Sequence, residues 1–166
     1  MKTLLILRHA KSSWKHPELS DHDRPLNKRG KRDAPLIGKL LRKKGLVPDV
    51  IFSSTAVRAK DTASAVASAS GYAGKIIFLF ALYSASPNEY IKFIEDLKDD
   101  DNYSSILVVG HNPSIEELVQ MLTGEFQEMP TCALAIITLQ IETWSSLRKY
   151  IGQGKLTALW RPRELT

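Results

Sequence analysis

The sequence predicts an α/β fold in which helices cover both faces of a mostly parallel sheet. Two aliphatic runs, residues 4–7 and 106–109, lack polar alternation, which is typical of strands that are buried on both faces. Segments with helical periodicity alternate with such runs, and this order favours parallel strands joined by helical crossovers. Because 166 residues can bury a substantial core, we expect one domain over residues 1–166.

The first run predicts a strand that ends in Arg8 and His9. After a polar segment, Asn27 is a good N-cap for a helix that continues to about Gly45. The apolar residues of this helix form one buried stripe. Pro35 lies inside the stripe, so we expect a kink or a second helix start there.

A second short strand is predicted over residues 49–52, followed by a helix over residues 56–70. The hydroxyl residues between them are expected to cap this helix. Arg58 lies near its start, where a cation opposes the helix dipole and therefore indicates a functional role. The alternative for Arg58 is a surface charge paired with Asp61 or Asp33.

Residues 75–82 predict a third strand that becomes a loop. Ser86 is the expected cap of a helix that begins at Pro87 and continues through Leu97. The acidic run over residues 99–101 is interpreted as a solvated turn.

The fourth strand, residues 105–110, is followed at once by His111 and then by a helix over residues 115–122. Two further β segments, residues 132–140 and 156–160, need no helical crossover. At least one of them is therefore expected to be antiparallel.

The composition is that of a globular protein, with 43% hydrophobic and 25% charged residues. No apolar run approaches the roughly 20 residues of a membrane span, and the N-terminal run is too short for a secretory signal. Cys132 is the only cysteine, which excludes paired-cysteine metal or redox chemistry. These features predict a cytoplasmic protein without membrane attachment, and we expect a monomer.

The net charge is +5, and basic residues concentrate over residues 28–44. Such a patch is compatible with an acidic protein, a phosphorylated substrate or nucleic acid, or it is simply a solvated helix face. Because no aromatic residues interleave these charges, the patch does not indicate a base-stacking platform, and nucleic acid binding is not favoured.

Three predicted strands are followed by residues with phosphate chemistry. The carboxyl ends of parallel strands meet at one edge, so Arg8-His9, Arg58 and His111 are expected to converge there. They would form a cationic pocket without a carboxylate of its own. A neutral imidazole can attack phosphorus, while the arginines and a second, protonated histidine stabilise the oxygens. This chemistry requires no metal and no cofactor.

The cluster Asp21-His22-Asp23 resembles a set of metal ligands only superficially. Adjacent residues rarely converge on one ion, and no further ligand motif follows. We therefore interpret this segment as the rim of a loop. Arg24 is expected either to point at the phosphate site or to pair with an aspartate.

Four motifs resemble those of the histidine phosphatase superfamily, also called the phosphoglycerate mutase-like fold. Arg8-His9-Ala10 is similar to its Arg-His-Gly signature, with alanine in place of glycine. Residues 24–30, 53–63 and 109–113 resemble its helix start, its arginine block and its second histidine motif. The short chain looks most like the small SixA-type phosphohistidine phosphatases.

This resemblance implies a three-layer α/β/α sandwich with a mostly parallel mixed sheet. It also implies that His9 is the nucleophile and that Arg8, Arg58 and His111 complete the phosphate pocket, with His111 also catalytic. Larger relatives carry a glutamate as general acid after the third strand, and residues 80–87 have no carboxylate.

Weak candidates for a general acid are Tyr83, Glu89, Asp21 and Asp23. Imidazole leaves more easily than an alkoxide, so a missing acid favours phosphohistidine as the substrate. The absence of lid-forming insertions favours a phosphorylated protein over a metabolite.

The sequence therefore predicts a metal-independent phosphatase that hydrolyses phosphohistidine on proteins through a covalent phosphohistidine intermediate. One alternative is a phosphatase of small phosphate esters. Another is a non-catalytic module that binds phosphate or nucleic acid through the basic helix.

Overall fold

The computed structural model describes residues 1–98 and 101–165. Within these residues, six strands and four α-helices follow one another along the chain, connected in places by short 3₁₀ turns. In chain order they are β1 (Lys2–Arg8), α1 (Lys28–Lys43), β2 (Val50–Ser54), α2 (Val57–Ser70), β3 (Ile76–Leu79), α3 (Pro87–Glu95), β4 (Ser105–Gly110), α4 (Ser114–Thr123), β5 (Leu134–Leu139) and β6 (Lys155–Trp160).

The strands form one mixed sheet in the order β3-β2-β4-β1-β5-β6. The first four of these are parallel, whereas β5 and β6 are both antiparallel to their neighbours. The mostly parallel sheet is confirmed, as is the expected antiparallel pairing near the C-terminus. The order places β1 beside β4, although about 100 residues separate them in the chain.

Helices cover both faces of the sheet and divide the core in two. Leu4 and Ile6 of β1 pack into a cluster with α3 and α4. Leu5 and Leu7 point to the opposite face and pack with α1 and α2. The alternation of side chains along a strand thus buries all four aliphatic residues. The three-layer arrangement is confirmed.

Two local expectations about α1 have different outcomes. The Asn27 side chain accepts a hydrogen bond from the Gly30 amide at 2.9 Å, which confirms the predicted cap. The expected second start at Pro35 is wrong, because α1 continues through that residue as one helix. The internal proline costs about 3 kcal/mol. Burial of the stripe that contains Ile37 and Leu41 offsets this cost.

The expected hydroxyl cap of α2 is also wrong. Ala56 is the N-cap and makes no side-chain hydrogen bond there, while Ser54 belongs to β2. The Ser54 hydroxyl accepts a hydrogen bond from the Ala56 amide at 3.1 Å, so it stabilises the turn from within the strand. Arg58 is consequently the second residue of α2.

The later elements differ from prediction mainly at their ends. β3 stops at Leu79, and α3 ends at Glu95 rather than at Leu97. Of the acidic run predicted as a turn, residues 99 and 100 lie outside the described residues. No helix in the described part of the chain is both long enough and apolar enough to cross a bilayer.

We predict that Gly38→Ala destabilises the protein by about 1–3 kcal/mol, because α1 and α2 meet at this residue. A Cβ at Gly38 would lie 2.6 Å from the Val66 carbonyl oxygen and 2.7 Å from the Ala69 Cβ. This clash outweighs the gain of about 1 kcal/mol that alanine brings to a helix. Denaturant unfolding measures the change, with Lys39→Ala on the exposed face as control. A Gly38→Ala variant as stable as the wild type would contradict the close contact.

Candidate active site

The strand order brings the four predicted site residues together. Arg8 is paired with Gly110 across the β1–β4 ladder, so His9 and His111 follow neighbouring strands at the same level. The His9 amide donates to the Gly110 carbonyl at 3.1 Å, and the centroids of the two imidazole rings are 5.1 Å apart. Arg58 joins them from the start of α2, and all four side chains line a cavity of about 300 Å³.

His9 is held in one tautomer. Its Nδ1 lies 2.7 Å from the Ala10 carbonyl oxygen, which can only accept, so Nδ1 carries the proton and Nε2 keeps its lone pair. Burial, together with smaller contributions from His111 and Arg58, lowers the pKa of His9 to about 3. The ring is therefore neutral at physiological pH. The Ala10 amide in turn donates to the Thr62 hydroxyl at 2.9 Å, which fixes the backbone behind the histidine.

His111 is also neutral in the free site, which corrects the expectation of a protonated second histidine. Burial lowers its pKa to about 4, and Arg58 contributes in the same direction. Its Nε2 lies 2.8 Å from the Ser54 hydroxyl, whereas its buried Nδ1 has no hydrogen-bond partner among the described residues. The sequence indicated a charged ring because it did not show how deeply this ring is buried.

The two arginines are anchored by some of their nitrogens and leave others free. Arg8 donates from Nη1 to the Met129 carbonyl at 3.1 Å, and burial lowers the pKa of Arg8. Arg58 donates from both Nη atoms to Asp21. Within the described residues, the buried Nε atoms of Arg8 and Arg58 have no acceptor. Leaving such donors without a partner costs about 1–3 kcal/mol each.

Asp21 contacts Arg58 from outside the lining of the cavity, and the described residues that form this lining include no carboxylate. Its Oδ2 accepts from Arg58 Nη2 at 2.9 Å and from the Tyr83 hydroxyl at 2.5 Å, and its Oδ1 accepts from Arg24. The Tyr83 hydroxyl and Arg58 lower the pKa of Asp21 to about 2, so the carboxyl group is ionised at neutral pH. The alternative pairing of Arg58 with Asp61 or Asp33 is wrong.

Arg24 meets both of its expectations, because it lines the cavity and pairs with an aspartate. It lies 3.2 Å from the Asp21 carboxylate and donates from Nη1 to the Ser12 hydroxyl at 2.7 Å. Its guanidinium carbon lies 3.6 Å from the centroid of the Trp14 ring, which is 73% exposed. This stack places an aromatic side chain on the rim of the cavity.

The remaining acid candidates have separate positions. Tyr83 lies at the site, with its ring edge-on to that of His111 at 5.6 Å. Glu89 is in the first turn of α3, where it forms a capping box with Ser86 and does not line the cavity. Asp23 lies 3.5 Å from the His22 ring. Asp21 and Tyr83 therefore contact the site residues Arg58 and His111 from outside the cavity lining, whereas Glu89 is engaged with Ser86.

The described residues contain no cluster of three or more histidine, cysteine, aspartate or glutamate side chains that could hold a metal ion. In the segment that superficially resembled a ligand set, Asp21 is bound by arginines and Tyr83. His22 is within hydrogen-bond distance of the Thr55 hydroxyl, 2.8 Å away.

Several lining residues were missed by sequence reasoning. Lys11 and Ser12 follow His9 closely, and Asn112 follows His111, so their positions in the chain were a usable signal. Thr131 had no such signal. It lies in the segment before β5, where the Cys132 amide donates to the His9 carbonyl at 3.0 Å.

Comparison with known proteins identifies the family. A family model described as histidine phosphatase superfamily (branch 1) matches residues 4–78. An uncharacterised chloroplastic protein of Arabidopsis thaliana is 32% identical over 170 residues, which cover 97% of this chain and 78% of that protein. The chain belongs to the histidine phosphatase superfamily. An uncharacterised protein of Mycobacterium leprae is 31% identical, with coverage of 95% and 100%.

Solved structures confirm the phosphoglycerate mutase-like fold of this histidine phosphatase. A candidate phosphohistidine phosphatase SixA from Agrobacterium tumefaciens superimposes with a TM-score of 0.82 at 28% identity, covering 97% of this chain and 98% of that one. The protein histidine phosphatase SixA complexed with tungstate gives a TM-score of 0.84 at 23% identity, covering 99% of both chains. The superfamily and the SixA neighbours support phosphatase activity.

Because His9 and His111 are buried as neutral rings, we predict that this histidine phosphatase loses stability in acid. Between pH 6.5 and about 4, the unfolded chain binds protons that folded His9 and His111 do not. The free energy of unfolding therefore falls as pH falls, by up to about 1.4 kcal/mol per pH unit for each histidine. Asp21 also contributes stability that is lost in acid, but only at lower pH, because its carboxyl group in the folded protein is protonated only as the pH approaches its lowered pKa of about 2.

The measurement is urea unfolding across this pH range for the wild type and His111→Asn. The variant should show a slope reduced by up to about 1.4 kcal/mol per pH unit. His16→Asn removes an exposed histidine and should keep the wild-type slope. Equal slopes for the wild type and His111→Asn would show that His111 is not buried as a neutral ring.

Proposed function

We propose that this histidine phosphatase is a metal-independent enzyme that hydrolyses phosphohistidine on proteins through a covalent intermediate on His9. The observation that carries the proposal is the state of His9. Its Nδ1 is engaged with the Ala10 carbonyl and its pKa is lowered to about 3, so a neutral Nε2 is available beside two arginines. Such a ring needs no separate base to become a nucleophile.

The proposed first step transfers the phosphoryl group from the substrate imidazole to His9. Arg8 and Arg58 hold the phosphoryl oxygens while His9 Nε2 attacks phosphorus in line. The other nitrogen of the substrate ring takes a proton from water, the N–P bond of the substrate breaks, and its electron pair returns to the ring, which leaves as neutral imidazole. His9 then carries a positive charge on its ring, which its Nδ1–H bond to the Ala10 carbonyl stabilises.

The second step returns His9 to its resting state. Water attacks the phosphorus of the phosphorylated His9, the new N–P bond breaks, and inorganic phosphate leaves with the protons of the water. His111 lies beside His9, and a bound dianion raises the pKa of His111 because opposite charges favour the protonated ring. His111 would then donate to a phosphoryl oxygen in both steps.

The leaving group argues for an N–P bond. The Asp21 carboxyl is ionised at neutral pH, and the Tyr83 hydroxyl already donates to it. Asp21 raises the pKa of Tyr83, so the phenol is a weaker acid than usual. An alkoxide needs a proton from the enzyme to leave, whereas an imidazole readily takes one from water. The SixA neighbours, one of which is described as a protein histidine phosphatase, support the same substrate.

Small phosphate esters are the second candidate. The matching curated proteins include a 2,3-bisphosphoglycerate-dependent phosphoglycerate mutase of Clavibacter michiganensis subsp. michiganensis, 37% identical over 65 residues, or 38% of this chain. That stretch is short, so it supports the phosphoryl chemistry more than the substrate. One domain over residues 1–166, a cytoplasmic location and a monomeric state stay predictions.

His9→Ala is predicted to lower turnover by at least about 10³-fold and to abolish a phosphoenzyme that is trapped by quenching in alkaline detergent, because the N–P bond of phosphohistidine is stable in base and labile in acid. Phosphate binding should be partly kept, because Arg8 and Arg58 remain. The measurements are steady-state kinetics, radiolabel trapping and titration with inorganic phosphate. His16→Ala, at an exposed histidine, is the matched control and should behave as the wild type. Unchanged turnover in His9→Ala would exclude this residue as the nucleophile.

Substrate preference is predicted to follow the leaving group. Without a carboxylic acid at the site, kcat/KM for a phosphohistidine protein should exceed that for sugar phosphates by about 10²-fold or more. Among aryl phosphates, p-nitrophenyl phosphate should be hydrolysed at least about 10-fold faster than phenyl phosphate. Higher efficiency on sugar phosphates than on phosphohistidine would favour the second candidate.

A further inference from the structure

A second, larger depression adjoins the phosphoryl cavity and shares Arg8, Asn112 and Thr131 with it. It has a volume of about 770 Å³ and is bounded by the start of α1, by residues 126–131 and by residues 161–163. We call it the arginine groove, because its border carries Arg8, Arg29, Arg32, Arg161 and Arg163. Any group attached to a bound phosphoryl group on this side would enter it.

The start of α1 has a charge pattern that opposes helix stability. Its first residues include Lys28, Arg29, Lys31 and Arg32, and its first turn carries no acidic residue. Cations at a helix N-terminus are unfavourable because the macrodipole is positive there. Cations that oppose the helix dipole do not stabilise α1, which indicates that they have a functional role.

Contacts hold the α1 side of the groove in place. Asp33 is 4% exposed and lies 3.2 Å from Arg32 Nε and 4.0 Å from Arg29 Nε. Arg29 also donates to the Thr131 hydroxyl at 3.0 Å. A Cβ at Gly30 would overlap the Lys11 carbonyl oxygen, so this turn is packed tightly against the segment that follows His9. Anchored in this way, Arg29 and Arg32 remain 53% and 65% exposed.

The opposite side is held similarly and adds apolar contact area. Arg161 donates from Nε and Nη2 to the Glu128 carbonyl at 3.2 and 3.0 Å. Phe126 is 57% exposed and lines the groove together with Met129 and Pro162. Exposed aromatic residues beside arginines are typical of surfaces that bind other proteins.

The charge balance of the groove selects an anionic partner. Five arginines line it against three carboxylates, of which Asp33 faces Arg29 and Arg32. The Glu116 carboxylate is engaged within the protein, because its Oε2 accepts a hydrogen bond from the Met129 amide at 2.9 Å. The cations surround a bounded depression that adjoins the phosphoryl cavity, which suits a segment attached to the phosphoryl group.

We propose that the arginine groove docks an acidic segment that flanks the phosphorylated histidine in the protein substrate. This rests on the proposed function, since it assigns the groove to the part of the substrate beyond the phosphoryl group. Arginine forks pair with carboxylates bidentately, and Phe126 covers an apolar side chain between them. The docking contacts lower KM, whereas the chemical step at His9 is unaffected.

Two phosphohistidine peptides of equal length test the proposal, one with aspartates and one with serines around the phosphohistidine. The groove variant is Arg32→Gln/Arg163→Gln, which leaves Arg29 beside Asp33. The matched control is Lys39→Gln/Arg42→Gln, which removes the same charge from exposed positions of α1 outside the groove. Thermal denaturation verifies that both variants are folded.

We expect the wild type to prefer the aspartate peptide in kcat/KM. The groove variant should reduce this preference about 3- to 10-fold through KM, as the loss of two exposed charge contacts implies. The control should keep the wild-type preference, and added salt should weaken the preference in the wild type. An unchanged preference in the groove variant, or an equal loss in the control, would overturn the proposal.

Two further outcomes separate this proposal from its alternatives. If the groove variant loses salt-sensitive binding of a single-stranded oligonucleotide but keeps its peptide preference, the groove binds nucleic acid and the proposal is wrong. If the wild type hydrolyses neither peptide, the proposed function fails. Fluorescence anisotropy with both labelled peptides then tests docking directly. A preference for the aspartate peptide that the groove variant abolishes would support docking, and no preference would overturn it.

Discussion

The parallel pairing of β1 with β4 is the constraint on which the rest of the site depends. It sets Arg8 opposite Gly110, so that the histidine after each strand emerges at the same level. A shift of one residue along the ladder would move one ring by about 3.3 Å and turn its side chain to the other face of the sheet. The aliphatic residues that precede the histidines bury both faces of these strands, and this burial holds the two rings in the pairing that positions them.

Burial at this edge of the sheet determines the chemistry as well as the geometry. It keeps His9 and His111 neutral, and it leaves guanidinium nitrogens of Arg8 and Arg58 without acceptors among the described residues. Asp21 offsets part of the cost by accepting from Arg58 on the solvent side. The free site therefore combines a neutral imidazole at His9, the proposed nucleophile, with undersatisfied cations. Such an environment favours a phosphoryl dianion, because its oxygens satisfy donors that the protein alone does not.

The cavity has different surroundings on its two sides, and in the proposed function each side would face a different part of the substrate. On one side, Asp21 and Tyr83 surround the Arg58 guanidinium and offer no carboxylic acid at neutral pH. On the other side, Arg8 leads into the arginine groove. In the proposed reaction, the first side bears on which bond to phosphorus breaks, and the second bears on which molecule carries that bond. The two sides are separate, so substrate specificity could change without a change at His9, the proposed nucleophile.

The sequence by itself determined the features that depend on neighbours in the chain. It predicted the buried strands, the caps at Asn27 and Ser86 and the convergence of Arg8, His9, Arg58 and His111 at one cavity, because these follow from local patterns and from motifs at strand ends. The tertiary structure alone decided the position of Asp21, the neutral state of His111 and the contribution of Thr131. These depend on loops packed from distant parts of the chain and on the low dielectric of a closed interior, and neither property is encoded at a fixed spacing.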